Sequence, residues 1–126
     1  MRLLNSVRSF GAAMRAGAAV GRSSRSRSGG HLPEALAEAR RGLAILAEPY
    51  VQRGNPPEAS ALASLTLMVE ELAAQLGEPG ASERDLSDSI RALKNIDGEP
   101  RPELCLSIPF LEQRLLNAYS QRAAEA

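Results

Sequence analysis

Two side chains in this sequence have the chemistry of a nucleophile and its base, Cys105 and His31, and each is the only residue of its type. A thiolate beside an imidazole is a common catalytic arrangement. His31 lies at the junction between an arginine-rich segment and the rest of the chain, where a side chain is poorly held. Cys105 stands between two leucines, as a small buried hydrophobic residue does, and a lone cysteine forms no internal disulfide. We therefore expect no catalytic pair, and a reducing compartment such as the cytoplasm.

The acidic side chains do not form a recognisable acid–base or metal site. Two pairs have the spacing of one helix face: Glu34 with Glu38, and Asp85 with Asp88. Such pairs are typical of a solvated surface or of a helix N-terminus. Glu70 and Glu71 are adjacent and should point in different directions. No phosphate-binding glycine motif occurs, so we expect a protein that is not an enzyme, with no catalytic residues, no cofactor and no bound metal.

The charge of the chain is divided into two blocks, although its formal net charge is zero. Residues 1–30 carry six arginines and no acid, whereas residues 31–126 carry nine basic and fifteen acidic side chains. The sequence predicts a basic N-terminal arm over residues 1–30 and an acidic domain over residues 31–126. Because residues 54–83 hold no positive charge, one interpretation is that the natural counterpart of the arm is its own acidic body or that of a second copy.

The arm reads as an amphipathic helix followed by a disordered tail. Over residues 2–20 the apolar side chains share one helix face, namely Leu3, Val7, Phe10, Met14 and Ala18. Residues 22–30 are rich in serine, arginine and glycine, have nothing to bury, and are expected to be disordered. The candidate anion-binding side chains of the arm are Arg8, Arg15, Arg22, Arg25 and Arg27.

Four interpretations of the arm stay open. In the first, the arm is an organelle presequence and the protein is mitochondrial. In the second, it is a helix that lies on an anionic membrane surface. Alternatively it binds nucleic acid through its arginines without sequence preference, or it is a solvated tail with no dedicated partner. No apolar run is long enough to cross a bilayer.

The body begins with a helical pattern that proline controls at both ends. Pro33 is placed for the first helical turn, and the three-four spacing of apolar residues runs from Leu32 to Tyr50. Pro49 should kink this helix or end it early, because its ring clashes with a carbonyl four residues back. The helix should pair with the next one as an antiparallel hairpin.

The second pattern of the body is the most apolar. Asn55 is a good N-cap residue with Glu58 three positions later, as in a capping box, and Gly77 is expected to terminate the helix. No charge occurs over residues 59–69, so the helix is either central in the core, which we favour, or half of a binding surface. Its candidate partner-binding residues are Leu62, Leu65, Met68, Val69 and Leu72.

Two further helices complete the predicted body. The third opens at Ser82 and Asp85 and closes near Gly98, and the fourth covers residues 109–123. No strand-like alternation is present. The fold class is therefore predicted to be all-α, a compact bundle of about four helices preceded by a basic, partly disordered N-terminal arm.

The hairpin of the first two patterns resembles a tetratricopeptide-like helix pair. The residues that carry the resemblance are Leu46, Ala47, Tyr50, Gly54 and Ala59. It covers about 35 residues in the 34-residue repeat scheme, departs from it at Ala63 and Thr66, and does not recur later in the chain. The resemblance implies a protein-binding repeat, and ordinary hairpin packing accounts for the same residues.

Taken together, these patterns favour a small non-enzymatic helical module that binds another protein or itself, as an adaptor, a chaperone-like partner or a regulatory subunit. The alternatives are a nucleic-acid-binding protein that acts through residues 1–30 and an imported protein whose arm is a targeting segment. A homodimer fits the first interpretation, and an anionic membrane surface is a further partner of the arm. No small-molecule substrate is inferred.

Overall fold

The structure, a computed structural model, describes residues 2–93 and the isolated positions 113, 116, 117 and 120. Within residues 2–93 the chain forms only helices and their connections, which confirms the all-α fold class. The helices are α1 (Arg2–Ser28), α2 (Leu32–Leu46), α3 (Pro56–Leu76) and α4 (Glu83–Leu93). α1 packs on both α2 and α3, while α2 and α4 each contact α3.

α1 is one continuous helix to Ser28, so the predicted disorder of residues 22–30 was wrong. The serine- and arginine-rich half has few apolar groups, but its polar groups find partners on the body. The Ser23 hydroxyl, fully buried, donates to the Ala35 carbonyl at 2.7 Å. Two arginines of the same half form ion pairs that are described below. Gly29 and Gly30 then turn the chain, Gly30 with a φ of 82°.

The inward face of α1 belongs to the same hydrophobic core as the body. Its small side chains follow a three-four spacing and are fully buried: Ser9, Ala12, Ala16, Ala19 and Ser23. The predicted division at residue 30 falls in the turn between α1 and α2, and one hydrophobic cluster spans that turn. Small residues let the axis of α1 approach its neighbours closely.

α2 begins and ends where its prolines place it. Pro33 lies in the first turn, and the helix ends at Leu46, three residues before Pro49, as predicted. Within α2, Gly42 marks the point where three helices meet. A Cβ on Gly42 would lie 2.6 Å from Cδ1 of Leu65 on α3 and 3.1 Å from Cβ of Ala19 on α1.

α3 is the central helix, and its two ends test two predictions. Gly77 ends it in the left-handed conformation, with φ 68° and ψ 28°, as predicted. The capping box at the start was wrong, since Asn55 makes no side-chain cap hydrogen bond. Its Nδ2 donates to Gln52 instead, and Glu58 is drawn into the interior by Ser9, where it is 2% exposed.

α4 opens as the sequence indicated, because Oγ of Ser82 accepts a hydrogen bond from the Asp85 backbone N–H at 3.0 Å. Leu86 is fully buried, and the Ser89 hydroxyl donates to Thr66 of α3. Cys105 and the predicted closure near Gly98 lie outside the described residues. Of the predicted helix over residues 109–123, only positions 113, 116, 117 and 120 are described, and each is helical.

Candidate functional site

The described residues bring no catalytic constellation together. His31 is exposed in the turn between α1 and α2 and caps no helix with its side chain. Within residues 2–93 no three side chains of the metal-ligating types are grouped so that they could hold an ion. Asp85 and Asp88 do share a helix face, but both form ion pairs with Arg53. Nη2 of Arg53 binds Oδ1 of Asp85, and Nε of Arg53 lies 3.4 Å from Oδ2 of Asp88.

Two arginines of α1 are paired with acids of the body. Nε of Arg22 donates to Oε2 of Glu38 at 2.9 Å, and Nη2 of Arg27 donates to Oε2 of Glu71 at 3.0 Å. The hydrogen bond from Arg22, reinforced by the charge of Arg41, holds the pKa of Glu38 below its usual range. Arg22 and Arg27 of the predicted arm therefore bind acidic side chains of the predicted body in the same chain.

Two more arginines of α1 contact Tyr50. The Arg8 guanidinium carbon lies 4.1 Å from the centre of the Tyr50 ring, a cation–π geometry. Nη2 of Arg15 donates to the Tyr50 hydroxyl at 3.2 Å. Arg25 is exposed on the outer side of the helix. Four of the five arginines named as anion-binding candidates are therefore turned toward their own fold.

The candidate partner-binding residues of α3 lie in the core. Four of them have at most 1% of their surface exposed: Leu62, Leu65, Val69 and Leu72. Met68 is partly buried against the same cluster. The favoured prediction of central burial for this helix is confirmed, and these four side chains have almost no surface to offer a partner.

Within residues 2–93, the large exposed apolar side chains lie instead on the outer side of α1. Its large side chains are Leu4, Val7, Phe10 and Met14, exposed by 61, 61, 53 and 62%. Three of these belong to the apolar stripe identified in the sequence, while the side chain of Leu3 is outside the described set. Leu4 was not part of the predicted stripe. It lies seven and fourteen residues before Gly11 and Ala18, which places all three on one helix face, and this spacing is the signal that would have identified it.

A groove borders this surface on the side of α3. It has a volume of about 640 Å³ and lies between one flank of α1 and the start of α3. Phe10, Met14 and Gly17 line it from α1, and Pro57 and Ala61 line it from α3. The surface is therefore an apolar ridge with a shallow apolar groove beside it.

A buried polar contact sets the position of the ridge. The Ser9 hydroxyl donates to Oε2 of Glu58 at 2.7 Å and accepts from the Gln52 backbone N–H at 2.8 Å. Ser9 is fully buried, on the side of α1 opposite Val7 and Met14. Because a buried carboxylate must be hydrogen-bonded, this contact ties the rotation of α1 to the start of α3.

Comparison with known proteins gives no relative: no family model, no curated protein and no solved structure matches the chain. Among the helices of residues 2–93, none combines the length and the hydropathy that crossing a membrane requires.

Proposed function

We propose that this protein is a small, non-enzymatic helical module for protein–protein interaction, and that it binds through the outer face of α1. The observation that carries the proposal is the concentration of exposed large apolar side chains on one helix, over Leu4 to Met14. The largest exposed apolar patch on a protein of this kind is often a functional surface, and larger patches mark interaction sites.

The way α1 is held supports this proposal. Its inner face is packed into the core, Ser9 binds the buried Glu58, and Arg22 and Arg27 bind acids on α2 and α3. A helix fixed from behind presents its outer side chains in one arrangement, which lowers the entropy lost on binding.

The same contacts support the proposal that α1 is part of the working protein rather than a removable targeting segment. Cleavage after α1 would expose the apolar faces of α2 and α3 that Ala12, Ala16 and Ala19 cover. It would also leave Glu58 without the hydroxyl that donates to it. Nucleic-acid binding receives less support, because Arg22 and Arg27 are occupied by carboxylates and Arg8 and Arg15 by Tyr50.

The test compares the full chain with two matched variants in its native source. Met14→Asp places a charge on the exposed ridge, and Ala37→Asp places the same charge on an exposed position of α2. Tagged chains are purified, and the proteins recovered, including untagged copies of the same chain, are quantified by mass spectrometry. Circular dichroism melts establish that both variants remain folded.

We expect Met14→Asp to lose the proteins that the natural chain and Ala37→Asp both recover. Equal recovery with a folded Met14→Asp variant overturns the outer face of α1 as the binding surface. Recovery of nucleic acid alone, lost at high salt, overturns the protein-interaction function.

A further inference from the structure

We propose that the outer face of α1 binds a second copy of this chain, with the two α1 helices packed antiparallel about a two-fold axis. This inference rests on the proposed function and names its partner. The contact positions follow an unbroken three-four spacing along the outer face, and all six are exposed or half-exposed. We call them the outer seam: Leu4, Val7, Gly11, Met14, Ala18 and Gly21.

The outer seam is complementary to itself in size. Its large residues lie mainly in the first half of α1, and the second half is small. In an antiparallel pair centred between Ala12 and Ala13, every large residue meets a small one. The contacts are Leu4 with the partner's Gly21, Val7 with the partner's Ala18, and Met14 with the partner's Gly11. A two-fold axis repeats each contact, as in an isologous interface.

The glycines of the seam have no explanation inside the fold. Glycine is the poorest helix former after proline, so a glycine within a helix calls for a packing reason. Gly42 has one, because its Cβ would collide with Leu65. A Cβ on Gly11 or on Gly21 would meet only the tip of an arginine of the same helix, at 3.5 and 3.4 Å, which is ordinary contact. A second helix packed closely against these glycines supplies the missing reason.

The area of the seam indicates a weak dimer. At the exposed fractions given above, Leu4, Val7 and Met14 of the seam, together with Phe10 beside it, present on the order of 400 Å² of apolar surface per copy. With the flanking residues, two copies would bury about 1,000 Å², the lower limit for a specific interface. Interfaces at this lower limit are typical of weak or transient association, so we expect a dissociation constant in the micromolar range or weaker.

The charges beside the seam predict how association depends on salt. Arg8, Arg15 and Arg22 follow one edge of the seam, so an antiparallel pair brings two like-charged edges together. Their contacts with Tyr50 and Glu38 draw them toward their own body, which reduces the repulsion without removing it. Added salt screens the remainder, so association should tighten as salt rises. Binding to an anionic surface would weaken instead.

The test uses sedimentation equilibrium on the purified full chain and on a swap of two facing residues. Val7→Ala leaves a gap against the partner's Ala18, and Ala18→Val creates a clash with the partner's Val7. Since each substitution occurs twice in the dimer, we expect each single variant to weaken association about tenfold. The double variant V7A/A18V restores the large-to-small pairing and should return to within about twofold of the natural chain. Circular dichroism verifies that each variant is folded.

The relative orientation of the two α1 helices is determined by disulfide trapping in chains that carry Cys105→Ser. A mixture of the Val7→Cys and Ala18→Cys chains should give a mixed disulfide under mild oxidation, whereas neither chain alone should give much. A strong cross-link from Val7→Cys alone would show parallel packing and overturn the proposal.

Three other results would also overturn the dimer. They are a natural chain that stays monomeric up to about 1 mM, an Ala18→Val variant that associates more tightly, and a double variant that is not restored. Binding to phosphatidylserine vesicles without self-association would assign the face to a membrane. A monomeric chain whose Met14→Asp variant still loses other proteins would leave the proposed function standing without this partner.

Discussion

Gly42→Ala is the substitution whose effect the packing of this fold determines most directly. The added Cβ would lie 2.6 and 2.9 Å from the two methyl carbons of Leu65, and 3.1 Å from Cβ of Ala19. Carbon atoms attract each other best at about 3.5–4.0 Å, so all three contacts are repulsive. Leu65 and Ala19 are both fully buried, so relief of these contacts requires movement within the core.

The expected cost follows from two opposing effects. Overpacking a core costs about 1–3 kcal/mol, and burial of the colliding atoms in α1 and α3 puts this site at the upper end. Replacing a helical glycine by alanine returns about 1 kcal/mol through helix propensity. The free energy of unfolding should therefore fall by about 2 kcal/mol, and for a domain of this size Tm should fall by about 10 °C.

The assay is urea and thermal unfolding followed by circular dichroism, with Gly17→Ala as the matched control. A Cβ on Gly17 meets nothing within 4 Å, so the control should gain about 1 kcal/mol. Adding Leu65→Ala to Gly42→Ala should cost less than the two single effects together, because the smaller side chain removes the clash. A Gly42→Ala variant as stable as the natural chain, or strictly additive effects in the double variant, would refute the three-helix contact.

Three other perturbations have expected outcomes in the same unfolding assays. Ser9→Ala removes the hydrogen bond to the buried Glu58 and should lower the free energy of unfolding by about 2 kcal/mol, and an unchanged value would argue that the hydroxyl is dispensable. Ser60→Ala should be neutral or stabilising by up to about 1 kcal/mol, because the Ser60 hydroxyl is fully buried and has no hydrogen-bond partner among the described residues. Because the pKa of Glu38 is lowered in the folded state, its ion pair stabilises the protein above the pKa of the unfolded chain, and this contribution is lost as pH falls through the folded value. Stability measured between about pH 6 and 3 should decline less steeply in Glu38→Gln than in the natural chain, and parallel curves would contradict the ion pair.

The helices of the body could be predicted because their limits are set by local chemistry. Pro49, Gly77 and Ser82 act through their own backbone or side chain within a few residues, and each behaves as its sequence context indicates. Glu58 shows the limit of such reasoning. In a capping box its carboxylate would accept a hydrogen bond from the backbone N–H of Asn55. In the structure it accepts one from Ser9, which lies 49 residues away in the chain, and a local sequence pattern contains no information about so distant a partner.

The burial of the inner face of α1 was missed for a related reason. A search for hydrophobic periodicity selects the larger side chains, and on α1 these lie on the outside. The inner face is built from alanine and serine, which bury little area per residue but allow close packing. The charge blocks did carry information about it, since Arg22 and Arg27 find their acids on α2 and α3.

The ion pairs and the buried serine of α1 join it to residues made later, so these contacts form in a fixed order during synthesis. α1 is synthesised before α2 and α3, and Glu71, the partner of Arg27, is made 44 residues after that arginine. At about 5–20 residues per second, several seconds pass before Arg27 can pair and before α3 can cover the inner face of α1. α1 is therefore made early but secured only once α3 is complete, and the interval before residue 71 is when wrong partners have their best access to its inner face.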